Sequence, residues 1–292
     1  MKNSTKFIGI FVLVIACSPG EKPRDLEDMY ASGSDASASN NKFIKDEIEN
    51  IFLGDVTPCD IPFMLEQTNV QFDPSLPNSL ETPRADKFND YELAMNLGIY
   101  TTDFGYLASF NRHEDAMVYL KHCNAMAHEL GIATAFDMEL IRNVENKIES
   151  PDALSRILRN EMHEITKYLK GDFRNEPAVL VIAGGIVEGL YISTELLSRN
   201  YQTDETCIPA ILEVIHSQET SLQSTIQLME ALNTAETFDD YLNDFNYTLA
   251  ALVRLDVENE DLQSNESWKE FTEAIRMLRR KIIVKDAFLL LQ

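Results

Sequence analysis

The chain of 292 residues has little glycine, proline or tryptophan, with 11 glycines, 10 prolines and a single tryptophan. This composition argues against collagen-like, low-complexity and turn-rich all-β architectures. Basic residues are also scarce, since 25 Lys and Arg stand against 48 Asp and Glu and the formal net charge is -23. Because non-specific nucleic-acid binding depends on neutralising phosphates with Lys and Arg, we expect no nucleic-acid partner. The hydrophobic share of 45% is that of a chain able to bury a globular core.

The motifs of the common catalytic sites are missing. The sequence has no Gly-x-Ser-x-Gly elbow, no Gly-x-x-x-x-Gly-Lys-[Ser/Thr] phosphate loop, no Cys-x-x-Cys and no His-Glu-x-x-His. A carboxylate-bridged di-iron bundle needs Glu-x-x-His on two helices, and only Glu213 and His216 have that spacing. We therefore predict no metal site and no cofactor, and we favour a non-enzymatic role.

The N-terminus has the pattern of a secretory signal peptide. A short cationic stretch precedes about ten apolar residues at 7–16, too few to span a hydrocarbon core as a helix, which needs ~20 residues. The end of this run, Val14-Ile15-Ala16-Cys17, resembles a bacterial lipobox, in which the cysteine thiol is alkylated by diacylglycerol before cleavage. We predict a lipoprotein signal peptide over 1–16 and a lipidated Cys17. An ordinary signal peptide with a chance cysteine is the alternative.

The segment after the lipobox predicts a tether. Residues 17–41 are rich in Asp, Ser, Ala and Asn and show no hydrophobic period, as expected of a flexible linker. The lipid would anchor the chain in a membrane of the bacterial cell envelope. Ser18 after the lipidated cysteine is compatible with export to the outer membrane, facing the periplasm, and surface exposure stays open. Residues 42–292 are predicted to form a single all-helical domain.

Helical periodicity dominates from Lys42 onward, without a convincing alternating strand. A short helix is predicted at 42–52, followed by a long loop or short helix with turns over 54–84, where five prolines occur. Further helices are predicted at 88–110, 113–130, 136–148, 151–170, 175–199, 205–232, 235–256 and 265–283. Short connections between them favour an all-α helical bundle or stacked antiparallel helix pairs, with about eight helices.

The most apolar run after the signal peptide is Ala178–Thr194. We expect a central core helix here, because a helix that is hydrophobic on all sides is normally buried. The shortness of the run and the presence of Glu188 argue against a membrane span. Gly184, Gly185 and Gly189 have no side chains, so a neighbouring helix could approach closely. Each glycine costs ~1 kcal/mol relative to alanine in a helix interior, a loss that close packing must offset.

Three segments together resemble one family. They are Ala94–Tyr106, Ala116–Gly131 and Ala183–Tyr191. They are similar to a group of all-helical lipoproteins of Gram-negative bacterial envelopes, whose members typically carry a Leu-Gly-x-Tyr-x-x-Asp block and then a Gly-Gly-x-x-Glu-x-Leu-Tyr block. The likeness covers roughly residues 58–235 and implies a helical envelope lipoprotein without an assigned activity. Ile186 departs from the family pattern, where an aromatic residue is common.

Asp103 and Glu188 are the candidate functional residues, because each lies in an otherwise apolar or aromatic helix. An unpaired buried carboxylate would cost several kcal/mol, so each needs a partner. The candidate partners are Asn96, Tyr100, Tyr106, Tyr191, a buried water or a ligand. The two carboxylates could form a structural network that fixes helix register, a ligand or ion site, or an acid–base pair.

The remaining cysteines and the C-terminal cations are open to more than one interpretation. With Cys17 lipidated, Cys59, Cys123 and Cys207 allow at most one disulfide, and the pairing is open. The basic residues near the C-terminus stand out against the acidic remainder, and they are Arg276, Arg279, Arg280, Lys281 and Lys285. They either favour the helix dipole or dock onto an acidic face of this protein or of a partner.

These patterns predict a lipid-anchored envelope protein that binds an envelope protein partner as a non-catalytic adaptor or accessory subunit. The alternative is a helical lipoprotein that binds a small ligand or an ion in the buried carboxylate region around Asp103 and Glu188. An enzyme that uses the carboxylate pair is a third and less favoured class.

Overall fold

In the computed structural model, the regular secondary structure of the described residues is entirely helical. The described residues are 42–44, 46, 51, 60–80, 89–131, 175–201, 207–233, 238–256, 262 and 264–283. All of them belong to one unit of the chain, Asn41–Gln292. The helices with defined bounds are α1 Ile61–Gln67, α2 Asp90–Ser109, α3 His113–Glu129, α4 Asn175–Asn200, α5 Ile208–Ser217, α6 Glu219–Leu232, α7 Asp239–Val253 and α8 Glu266–Ile283. The predicted all-α helical bundle is confirmed.

The bounds of most described helices follow the hydrophobic periodicity. α2, α3, α4, α7 and α8 each match a predicted helix to within four residues at either end. α1 is a short helix inside the proline-rich stretch, and residues 42–44, 46 and 51 are helical, as predicted for the first helix. The signal peptide, Cys17, the tether and the helices predicted at 136–148 and 151–170 lie outside the described residues.

The single helix predicted over 205–232 is wrong, because α5 and α6 meet at Gln218. In a continuous helix the Gln218 N–H would donate to the carbonyl oxygen of Val214. The Ser217 hydroxyl donates to that oxygen instead, at 2.7 Å. The Gln218 N–H donates to the Ile215 carbonyl at 3.2 Å, which tightens the last turn. A local serine therefore ends α5.

α4 is the central helix, as predicted. By length and composition it is long and apolar enough to cross a membrane, a property that no other helix in the described part of the chain shares. Its most apolar window is nevertheless 94% buried within the protein. The helix has 26 residues, so it extends well beyond the apolar run that identified it.

Two glycines set the distance between α2 and α4. A Cβ atom added to Gly98 would lie 2.0 Å from the carbonyl oxygen of Val181. A Cβ atom added to Gly184 would lie 1.9 Å from the carbonyl oxygen of Met95. Real Cβ contacts are far longer, so the two backbones touch directly and each helix needs a glycine at this crossing.

The other two glycines of α4 have different neighbours. The backbone nitrogen of Gly185 would lie 2.7 Å from a Cβ atom on Gly98, which places Gly185 at the same crossing. Gly189 faces α1, where an added Cβ atom would lie 2.3 Å from Cδ1 of Ile61. Gly185 therefore allows the close approach of α2, and Gly189 allows the close approach of α1.

α8 covers α4 with an amphipathic face. Its buried side chains recur at the three- and four-residue spacing of a helix face, and they include Trp268, Phe271, Ile275, Leu278 and Ile282. Cationic residues occupy the edge of the same face, and two of them reach α4. This placement brings a C-terminal helix against the middle of the core.

Candidate functional site

Glu188 on α4 forms a two-point ion pair with Arg279 of α8. The Nε and Nη2 atoms of Arg279 lie 2.6 Å and 2.8 Å from the two carboxylate oxygens. The Glu188 side chain is fully buried and that of Arg279 is 13% exposed. Bidentate geometry is the arrangement that best offsets the desolvation of such a pair. Although burial disfavours the guanidinium cation, the contact with Glu188 raises the pKa of Arg279.

The arginine is held on two further sides. Its guanidinium carbon lies 3.9 Å from the centroid of the Tyr191 ring, one helical turn after Glu188. Its Nη2 also reaches the carbonyl oxygen of Leu76 at 3.5 Å. A planar guanidinium can stack on a ring and fork to a carboxylate at the same time, which a lysine ammonium cannot do.

Asp103 on α2 completes the cluster from the opposite side. It is fully buried, and its Oδ2 accepts a hydrogen bond from the backbone N–H of Asn78 at 2.9 Å. Burial raises the pKa of Asp103 well above its ordinary value, and the charge of the neighbouring Glu188 raises it further. Arg279 and the Asn78 N–H act in the opposite direction but do not reverse the shift.

The charges of the three groups balance when Asp103 is protonated. Its Oδ1 has no hydrogen-bond partner among the described residues, and a proton on this oxygen would let the side chain donate a hydrogen bond to an acceptor such as the neighbouring Glu188. Glu188 then carries the negative charge and Arg279 the positive one. Two adjacent carboxyl groups that share one proton avoid the repulsion of two buried anions. The result is a neutral cluster that joins α2, α4 and α8.

A loop lies against the cluster and is fastened by helix side chains. We call residues 68–80 the strap. The Tyr119 hydroxyl donates to the carbonyl oxygen of Asn78 at 2.6 Å, and the Tyr100 hydroxyl donates to that of Ser79 at 3.0 Å. Together with the bond from Asn78 to Asp103, these contacts satisfy backbone groups that a buried loop would otherwise leave unpaired.

The first half of the strap is fastened at Asp73. The Asp73 N–H donates to the Tyr106 hydroxyl at 2.9 Å, and the Asp73 carboxylate pairs with Arg199 at 2.5 Å. Hydrogen bonds from Ser75 and Arg199 lower the pKa of Asp73, although partial burial acts in the other direction. Arg199 also reaches Glu195 on its own helix at 3.2 Å. The strap is therefore tied to α4 as well as to α2 and α3.

The structure corrects part of the predicted set of carboxylate partners. Tyr106 bonds to the Asp73 backbone, and the Asn96 amide donates to the carbonyl oxygens of Glu92 and Ile282 at 2.8 Å and 2.9 Å. These two side chains therefore satisfy backbone groups rather than the two carboxylates. Tyr100 hydrogen-bonds the strap, and Tyr191 acts through its ring on the arginine.

Sequence reasoning missed Arg279 as the partner of Glu188. It had singled out the C-terminal cations and left open that they dock onto an acidic face of the same protein. Such docking occurs twice on α4, because Arg276 also binds Glu195 through Nε at 2.6 Å. Glu188 and Glu195 lie seven positions apart on α4, and Arg276 and Arg279 lie three apart on α8. The signal available in the sequence was therefore limited to two carboxylates on α4 and a group of cations on α8, because spacings of seven and three residues do not by themselves assign the pairs.

The remaining candidates carry no comparable chemistry. Cys123 is buried, and burial raises the pKa of its thiol to about 12, so the reactive thiolate is disfavoured. Cys207 is buried and Cys59 lies outside the described residues. Glu213 and His216 are exposed on α5. Within the described ranges, no three His, Cys, Asp or Glu side chains are grouped to hold a metal ion.

The fold and the site of the described residues define an all-helical protein with a buried carboxyl–arginine cluster in its core. The cluster can hold a proton and fix the mutual register of three helices, and both carboxyl groups are enclosed. A scan of protein-family models, a search of curated proteins and a search of solved structures each found no match to this chain.

Proposed function

We propose that this protein is a lipid-anchored protein of the bacterial cell envelope that acts without catalysis, by binding an envelope protein partner as an adaptor or accessory subunit. The observation that carries the anchor is Val14-Ile15-Ala16-Cys17 at the end of a short apolar run. A lipobox cysteine receives a diacylglyceryl group and an amide-linked acyl chain. At ~0.8 kcal/mol per buried methylene, such a group holds far more firmly than one myristoyl chain.

The geometry of the buried cluster supports a non-catalytic role. Catalytic carboxyl groups must reach a substrate, and those of Asp103 and Glu188 are fully enclosed. The charge of Glu188 is already balanced by Arg279 at two short contacts. The same observation weighs against the alternative of an ion or ligand held by these carboxylates, because a cation would have to displace the arginine.

The anchor is tested by substituting the cysteine and following acylation. We expect Cys17→Ala to abolish incorporation of labelled palmitate and to remove the protein from the outer-membrane fraction. Cys59→Ala is the matched control and should keep both properties, since this cysteine lies far outside the signal peptide. Label retained by the Cys17→Ala protein would contradict the lipobox interpretation.

The binding role is tested by crosslinking in intact cells, followed by detergent extraction, affinity purification and mass spectrometry. We expect an envelope protein at near-stoichiometric yield, crosslinked through the all-helical domain. A monomer without a crosslinked protein would overturn the adaptor role while leaving the anchor intact. The acylation and crosslinking experiments therefore separate the two halves of the proposal.

A further inference from the structure

A cleft opens between the C-terminal end of α4 and the first half of α8. Its volume is about 480 Å³, which is within the range of small-molecule sites. Leu262 and Trp268 provide apolar surface, and Tyr201, directly after α4, also lines the cleft. The cleft is separate from the carboxyl cluster, whose residues do not line it.

Arg276 lines the cleft, and its guanidinium is held in a fixed orientation by Glu195. Its Nε donates to Glu195 at 2.6 Å, while the second carboxylate oxygen of Glu195 receives Arg199 at 3.2 Å. The Glu195 side chain is 7% exposed and that of Arg276 is 42% exposed. The buried carboxylate therefore fixes the arginine by one nitrogen, and neither Nη group has a hydrogen-bond partner among the described residues. A guanidinium held in this way can bind an anion with its remaining donors.

Thr272 adds a second polar group without a partner. It lines the cleft one helical turn before Arg276, and the residue is 6% exposed. Its hydroxyl is buried and makes no hydrogen bond in the protein. Buried hydroxyls are normally paired, so an orphaned one beside a cleft indicates a missing acceptor or donor. Lys269 and Glu273 also line the cleft, and Lys269 forms an ion pair with Glu266 at 2.7 Å.

We propose that this cleft binds a small organic anion, a carboxylate or phosphate group attached to an apolar body. The anionic group binds the free guanidinium nitrogens of Arg276 and accepts from the Thr272 hydroxyl. The apolar body packs on Trp268 and Leu262. This binding does not depend on lipidation of Cys17 or on a protein partner, so it can fail or succeed independently of the proposed function.

The fluorescence of Trp268 can report binding in the cleft, because it is the single tryptophan of the chain. We titrate the full-length protein, purified in a non-ionic detergent, with 3-phenylpropionate and follow tryptophan emission. We expect a saturable change that weakens as salt is added, because part of the attraction is electrostatic. The neutral isostere 3-phenylpropionamide and the plain anion acetate should bind at least tenfold more weakly, since each lacks one of the two recognition elements.

Two variants test the assigned contacts. Arg276→Gln should weaken 3-phenylpropionate binding by about 10- to 100-fold, the usual effect of losing a charged hydrogen bond. Thr272→Val, nearly the same in shape, should weaken it by about 2- to 10-fold. Arg199→Gln is the matched control, because it also removes an arginine from Glu195 but lies outside the cleft. We expect its affinity to stay within about threefold of the unaltered protein.

Three results would overturn the proposal. They are a lack of any saturable change with the anion, equal binding of the anion and its neutral amide, and an Arg276→Gln protein that binds as tightly as the unaltered one. Equal losses in Arg276→Gln and Arg199→Gln would do the same, because they would trace the effect to Glu195 and not to the cleft.

Discussion

The Arg279 guanidinium binds both carboxylate oxygens of Glu188 across 91 residues of sequence. This contact joins the last described helix to the central one, and beside it burial and the charge of Glu188 raise the pKa of Asp103 well above its ordinary value.

Removing Arg279 should show how much stability the protein loses when Glu188 is buried without a counter-ion. We expect Arg279→Met to lower the free energy of unfolding by ~3–5 kcal/mol, because Glu188 is left buried without its counter-ion. Arg279→Lys should recover only part of this loss, since an ammonium cannot fork to the carboxylate and stack on Tyr191. Urea denaturation measures both.

Arg254→Met is the control, because it breaks the exposed pair with Glu270 and should cost ~0–1 kcal/mol. Equal losses in Arg279→Met and Arg254→Met would contradict a special role for the buried pair.

Protonation of Asp103 predicts a pH dependence of stability with a defined sign. The folded-state pKa of Asp103 is raised, so the folded protein binds a proton that the unfolded chain has already released. Stability should therefore fall as pH rises above the unfolded value of ~3.9 toward the folded pKa, by at most ~1.4 kcal/mol per pH unit from this group.

The variant Asp103→Asn isolates that effect. Asparagine can donate to Glu188 and accept from the Asn78 N–H, so it copies the protonated acid and should keep the fold. We expect the difference in unfolding free energy between the two proteins to increase with pH across this window. Urea titrations at several pH values measure it. Parallel pH profiles would show that Asp103 is ionised in the folded protein.

Alanine at the helix crossing should be poorly tolerated. In Gly98→Ala and Gly184→Ala the new methyl group would overlap a carbonyl oxygen of the facing helix. We expect each change to cost ~1–3 kcal/mol or more, as overpacking does. Gly105→Ala is the control, because its Cβ atom would lie 3.2 Å from the Pro62 ring and alanine favours a helix by ~1 kcal/mol. Thermal melts should rank Gly105→Ala well above the other two.

The strap should loosen when its fastening hydroxyls are removed. Tyr119→Phe deletes the donor to the Asn78 carbonyl oxygen, and Tyr106→Phe deletes the contacts with the Asp73 backbone. We expect faster amide hydrogen exchange in residues 68–80 in both variants, with exchange in α4 unchanged. The exposed tyrosine Tyr247 provides the control variant Tyr247→Phe. Unaltered exchange in the strap would mean that other contacts hold it.

The positions of helices depend on neighbouring residues and could be predicted from the sequence. Side-chain contacts between residues far apart in the chain could not. Hydrophobic spacing located α4 and α8, and a lone carboxylate in an apolar helix identified Glu188 as a residue that needs a partner. That partner lies 91 positions away, so no local pattern could select Arg279 from the other C-terminal cations. Tyr106 lies on the same helix as Asp103, yet its hydroxyl bonds to a loop whose path no periodicity describes.

Because the chain is synthesised from its N-terminus, the Glu188–Arg279 contact can form only some time after Glu188 has been made. A ribosome adding about 5–20 residues per second needs roughly 5 to 18 s to synthesise the stretch between the two residues. Throughout that interval α4 lacks the cation that neutralises its buried carboxylate, so the carboxyl–arginine cluster cannot form. Closure of the core around Glu188 is therefore a late step in folding, which waits for the synthesis of α8.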